Sequence, residues 1–206
     1  YFLHETNVMM ITLGTAWVFE LADTRKIVSN CHKLPASRFT RRRLSVDEII
    51  NEFTEVFGLL RKNYPNLKFI FTVSPIRHLK DGAHENTVSK STLHLAVDAL
   101  EKQFDFVHYF PAYEIMMDEL RDYRFYASDM LHPSDVAVDY IWQRFGDTYF
   151  SSETLNLKKE LERLRADLNH RPLHPETEEY RLFQLSVEKK KNGLMQHYPF
   201  LKERLQ

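Results

Sequence analysis

Asp129 and His132 stand three positions apart in the run Asp129-Met130-Leu131-His132-Pro133. A carboxylate that orients a neighbouring imidazole fixes its tautomer and stabilises the imidazolium formed when the ring takes a proton. The pair is therefore suited to general acid–base work. Spacing alone leaves a plainer reading open, in which Asp129 caps a turn and His132 is an ordinary loop residue. Ser74 closes an apolar run and would be a nucleophile if His132 reached it. Ser74-Pro75 reads better as a strand terminator, because proline disfavours the sharp strand-to-helix turn that presents a nucleophilic serine. Cys31 beside His32 suggests a thiolate, but no acid orients the pair locally, and a lone cysteine is usually buried and inert. Arg77, His78 and Lys80 form a basic patch able to bind an anionic or polyhydroxylated substrate. Arg77 could equally pair with Asp129, Asp118 or Glu114, and His32 with Lys33 could be a site or a plain loop. The dense charges Glu119, Arg121, Asp122 and Arg124 predict a buried salt-bridge network that fixes the Asp129 loop. Tyr109, Tyr113, Tyr123 and Tyr126 either pack the core or offer a stacking surface for sugar rings.

Composition narrows the classes. The 206 residues suit about one domain and a substantial core. With 43% apolar and 13% aromatic residues the chain is not disordered. A net charge of −1 argues against a general nucleic-acid binder. No apolar run approaches the roughly 20 residues a membrane-spanning helix needs. The single cysteine excludes an internal disulfide and fits a reducing, cytoplasmic setting. Five glycines leave neither a Rossmann nor a P-loop spacing, so no cofactor is expected. The ten histidines are scattered and no HExxH spacing occurs, so no metal is expected. The chain opens on Tyr1, close to an apolar run, and reads as a piece of a longer protein, so the lack of a targeting signal carries no information.

The elements that must position these residues follow from periodicity. Asn7 to Leu13 is a short apolar run ending at Gly14, and reads as a buried strand. Ala16 to Ser29 suggests a small hairpin. Ser45-Val46-Asp47-Glu48 is a capping signature, followed by Ile49, Ile50, Phe53, Val56, Phe57 and Leu60 at helical spacing and a stop before Pro65. Leu67 to Val73 is the clearest strand. Leu93, Ala96, Val97 and Leu100 mark a second helix, Phe106 to Phe110 a third strand, Glu114 to Arg121 a short helix, and Pro133-Ser134-Asp135 opens another. Strands alternating with helices mean a parallel sheet covered on both faces, with ligands beyond the carboxyl ends of its strands. The loops after Leu13, Val73 and Phe110 and the Asp129–His132 loop should share that crevice. From about Ser151 the chain becomes charged helices with one apolar stripe, interrupted by Pro172 and Pro175. The expected division is 1–150 and 151–206, the latter a helical extension that could pack on the domain or on a second copy as a homo-oligomer.

The sequence resembles the C-terminal two-thirds of GSCFA-domain proteins, relatives of the SGNH (GDSL-like) hydrolases. The matching segments are Thr12-Leu13-Gly14-Thr15-Ala16-Trp17, Asn30-Cys31-His32-Lys33 and Thr72 to His78, then Asp81-Gly82, Asn86, Ser89-Lys90, Tyr109 to Glu114 and Asp118 to Tyr126. The last is Asp129 to Ser134, so the set covers about residues 8 to 150. The resemblance implies a flavodoxin-like three-layer α/β/α fold with a parallel sheet, here without its N-terminal strand or strands, plus the C-terminal helical appendage. It gives Asp129 the role of orienting acid and His132 that of general base. The nucleophilic serine belongs to a block that would lie upstream of Tyr1. The usual oxyanion pair is a glycine and the asparagine of a G-x-N-D block. Gly14 keeps the first, while Gly14-Thr15-Ala16-Trp17 lacks the second; Asn30 is a replacement donor or a turn residue. Ser74, Arg77, His78 and His32 are candidate substrate-binding residues.

The implied function is an ester hydrolase or acyltransferase acting on acyl (O-acetyl) esters of carbohydrates, its partner being that small-molecule or carbohydrate ester. The competing readings are a catalytically degenerate module that binds glycan or protein, and a chain whose C-terminal helices carry the main role.

Overall fold

A computed structural model describes residues 2–29 and 34–205. Its strands are β1 (Val8–Leu13), β2 (Trp17–Leu21), β3 (Ile27–Val28), β4 (Phe39–Arg43), β5 (Lys68–Val73) and β6 (Val107–Tyr109). Its helices are α1 (Val46–Asn63), α2 (Ala83–Gln103), α3 (Ala112–Glu114), α4 (Asp135–Tyr149), α5 (Ser152–Leu168) and α6 (Glu178–His197). The chain divides into two compact units, Tyr1–Gln143 and Arg144–Gln206.

In the first unit, β1, β5 and β6 form a parallel sheet in that order. β5 is the central strand, and its apolar run is buried on both sides, as a central parallel strand requires. α1 starts on a complete capping box. Ser45 Oγ accepts from the Glu48 N–H, and the Glu48 carboxylate accepts from the Ser45 N–H. α1 and α2 pack against each other and against one face of the sheet, around Phe57, Phe69, Phe71, Val97 and Leu100. Right-handed crossovers that step the same way along a sheet put both helices on one side. On the other face Val8 and Met10 of the edge strand β1 stand 45% and 55% exposed, while Ile70 on central β5 is buried. The architecture is α/β and compatible with a three-layer α/β/α fold.

The predicted hairpin is a three-stranded antiparallel sheet in the order β3-β2-β4. β4 is Phe-Thr-Arg-Arg-Arg and has no apolar alternation to announce it. It is held by charge and rings instead. Arg41 lies over Trp17 at 4.5 Å, and Arg42 bonds the buried carboxylate of Glu20. Arg41 also pairs with buried Asp81 at 2.6 Å, and Arg43 with Glu85 at 3.0 Å. The first pair ties the small sheet to the segment between β5 and α2, where Ser74, Arg77 and His78 lie, and the second ties it to the first turn of α2. Gly82, at φ +82°, lets that segment turn into α2.

The second unit has its own core of Leu164, Val187, Leu194 and Leu201. Ser151 and Thr177 cap α5 and α6 through their hydroxyls. Among the described residues, no helix is long and apolar enough to cross a membrane.

Candidate active site

The Asp129–His132 loop is built by local backbone chemistry. Asp129 Oδ1 accepts the N–H groups of Leu131 (2.9 Å) and His132 (3.0 Å), a turn that places Met130 at φ +61°. A methionine in the left-handed region is strained, and such strain persists where the surroundings over-determine it. The loop is closed by the Ala127 N–H donating to His132 O, a bridge between Tyr126 and Pro133, and the Ser134 N–H donating to Phe125 O. Ser134 then accepts from the first turn of α4. The second carboxylate oxygen, Oδ2, lies 2.6 Å from His132 Nδ1. The two backbone N–H groups and then the ring hold the Asp129 carboxyl at about 2, so it is ionised and Nδ1 carries the proton. His132 is 58% exposed, and its Nε2 has no partner among the described residues. An imidazole oriented through Nδ1 with its outer nitrogen open has the geometry of a general base.

The carboxyl ends of β1 and β5 meet nearby residues in a clamp that periodicity does not reveal. Lys90, on α2, is 2% exposed. Its Nζ donates to Gly14 O and to Ser74 O, both at 2.6 Å. Its neighbour Ser89 accepts from the Ala16 N–H at 2.8 Å and shares a hydrogen bond with Thr15 Oγ1. Ser74 donates its N–H to Leu13 O, and its hydroxyl accepts from the Ile76 N–H as part of a turn. His78 lies beside Gly14, with its Nε2 3.8 Å from where a Cβ on Gly14 would sit, and its N–H is held by Asn86. Gly14, Ser74 and His78 are thus brought together.

Arg77 has no carboxylate within ion-pair distance among the described residues. Its guanidinium donates to Met117 Sδ at 3.6 Å, so it pairs with none of Asp129, Asp118 and Glu114. The predicted buried network is corrected too: Glu119, Arg121, Asp122 and Arg124 are exposed. The expected short helix is α3 followed by a π turn over Ile115–Glu119, which carries Met117. Asn30, Cys31 and His32 lie outside the described residues. His170 and His174 are four apart, but they stand in the Pro172-containing loop after α5. Among the described residues no cluster of three or more metal-binding side chains forms.

A second histidine–acid cluster lies at the end of β6. Tyr109 donates to Glu114 at 2.7 Å, and His94 Nδ1 stands 3.5 Å from the same carboxylate. Burial lowers the His94 ring and raises the Tyr109 phenol. His94 Nε2 is buried without a hydrogen bond, so this ring presents no open nitrogen to solvent.

The model of the GSCFA family matches residues 1–145, more than two-thirds of the chain. The chain belongs to the GSCFA family. The model described as the GSCFA domain protein, C-terminal domain, matches residues 161–205, which take in the last eight residues of α5 and all of α6. No curated protein and no solved structure matches the chain. Within the GSCFA match lie the dyad loop, the Lys90 clamp and the Arg77 segment. Lys90 is the functional candidate that sequence reasoning missed, although Ser89-Lys90 stood among the segments carrying the resemblance. A lysine at a buried helical position, with no acid at helical spacing on the same face, is the signal that could have found it.

Proposed function

We propose that this GSCFA chain carries the acid–base half of an SGNH-like serine hydrolase that acts on acyl esters, O-acetyl esters of carbohydrates in particular. The observation that carries this reading is the 2.6 Å Asp129–His132 bond, on a side chain 58% exposed whose Nε2 has no partner among the described residues. In the proposed cycle a serine from a segment preceding Tyr1 attacks the ester carbonyl. His132 Nε2 takes the serine proton as the C–O bond forms, then gives it to the leaving alkoxide as the tetrahedral intermediate collapses to acyl-enzyme. Asp129 stabilises the imidazolium in between. Water or a second sugar hydroxyl resolves the acyl-enzyme by the same route in reverse. The Gly14 backbone N–H is the proposed oxyanion donor, and Lys90, by holding Gly14 O, fixes the orientation of the backbone at that position.

The test is labelling of the full-length protein with a fluorophosphonate, followed by peptide mapping. Label on a serine upstream of Tyr1, lost in His132→Ala, supports the reading. Label on Ser74 would overturn the assignment of the nucleophile. The absence of an asparagine from Gly14-Thr15-Ala16-Trp17 favours the second reading, a glycan-binding module without chemistry. A folded protein that takes no label and hydrolyses no ester, yet binds glycan, would select it.

A further inference from the structure

Beside the dyad loop lies a cleft of about 250 Å³. It is lined by Met130, the strained residue between Asp129 and His132, and by Arg77, four residues beyond the end of β5. Arg121, Tyr123 and Tyr126 complete the wall from the segment after the π turn. Its two guanidiniums are both without a carboxylate partner among the described residues. Arg77 reaches only the Met117 sulfur, and Arg121 donates through Nε to Asp118 O, which leaves its two terminal nitrogens unassigned. The one carboxylate that lines the cleft, Asp122, is turned back on its own loop. It accepts the Arg124 N–H and lies 3.9 Å from the Arg124 guanidinium. Tyr123 is 77% exposed, which leaves most of its ring in water.

Two unpaired planar forks beside an uncovered aromatic ring select for an anion attached to a ring. Arginine recognises carboxylate through paired N–H donors, and tyrosine offers a face to the ring that bears it. The cleft is smaller than the roughly 300–1,000 Å³ of pockets that enclose drug-sized ligands, so it suits a single sugar unit. We infer that this cleft binds the carboxylate-bearing ring of an acidic saccharide, with Arg77 and Arg121 on the carboxylate and Tyr123 and Tyr126 against the ring. The inference deepens the proposed function, on which it rests for its meaning: the ester acted on is carried by an acidic sugar chain, seated next to His132. Binding itself does not require the reaction.

The experiment is calorimetric titration of the full-length protein with a galacturonic acid trisaccharide and with the neutral galactose trisaccharide. The variants are Arg77→Gln, Arg121→Gln and Tyr123→Ala, all at exposed positions. The acidic trisaccharide should bind at least about tenfold more tightly than the neutral one, and the difference should shrink as ionic strength rises. Each arginine variant should weaken the acidic ligand about fivefold or more and leave the neutral one unchanged, while Tyr123→Ala should weaken both. Equal binding of the two sugars, acidic binding indifferent to both arginines, or no binding of the acidic sugar at millimolar concentration each overturns the inference. Selective binding in a protein that hydrolyses no ester would leave this inference standing and sink the hydrolase reading.

Discussion

At the scale of single residues the account rests on two groups in opposite surroundings. Asp129 is exposed, and its depressed carboxyl comes from hydrogen bonds: the folded value of about 2 lies below the ordinary 3.8. The native state therefore binds this proton less readily than the unfolded chain. The turn's contribution to stability is full above pH 4 or so and is lost as pH falls toward 2. Asp129→Asn keeps an acceptor for the two backbone N–H groups but loses the partner of Nδ1–H. It should lower kcat for ester hydrolysis by about 10²- to 10⁴-fold and flatten the dependence of stability on pH between about 4 and 2. Lys90 is the reverse case. Burial pulls its ammonium from 10.5 down to about 8. Between those values the unfolded chain holds a proton that the folded chain has released, so this contribution to stability rises with pH from about 8 to 10.5. In Lys90→Met that rise should vanish. At neutral pH the variant should lose about 1–3 kcal/mol in denaturant titrations, because Gly14 O and Ser74 O are left without a donor.

At the scale of elements, periodicity was a good guide wherever burial decides structure. β1, β5 and β6 and helices α1 and α2 were legible because their apolar residues recur at the period of the element they form, and Ser45 and Glu48 announced the start of α1. Ser45→Ala should cost about 1 kcal/mol in a chemical denaturation series, since it leaves the Glu48 N–H without its acceptor. β4 was not legible, because Phe39–Arg43 is stabilised by Trp17, Glu20 and Asp81, residues distant in sequence that no local pattern identifies. The π turn at Ile115–Glu119 was hidden for a related reason: it shares its composition with a helix, and only its hydrogen bonds differ. The site was legible in part. Asp129 and His132 are neighbours in sequence, so their spacing carried the geometry, whereas Lys90 reaches Gly14 across 76 positions. The free state of Arg77 could not be read either, because three carboxylates were equally plausible partners on paper.

At the scale of the whole molecule, two units with separate cores make different demands. The first is held by the phenylalanine cluster under the sheet, the second by a few leucines and a valine between helices. Leu164 is buried in the second core, and Leu164→Ala should destabilise that unit by about 2–5 kcal/mol. Hydrogen exchange should then accelerate in α5 and α6 while β5 keeps its protection. The central claim concerns the first unit, where two histidine–acid pairs compete for the role of base. Its most direct test is kcat/KM for hydrolysis of an acetyl ester by the full-length protein, wild type against His132→Ala and His94→Ala. The account predicts a loss of at least about 10²-fold in His132→Ala, with an unchanged melting temperature, and near wild-type hydrolysis in His94→Ala. Hydrolysis that survives in folded His132→Ala, or that is lost in folded His94→Ala instead, would contradict it.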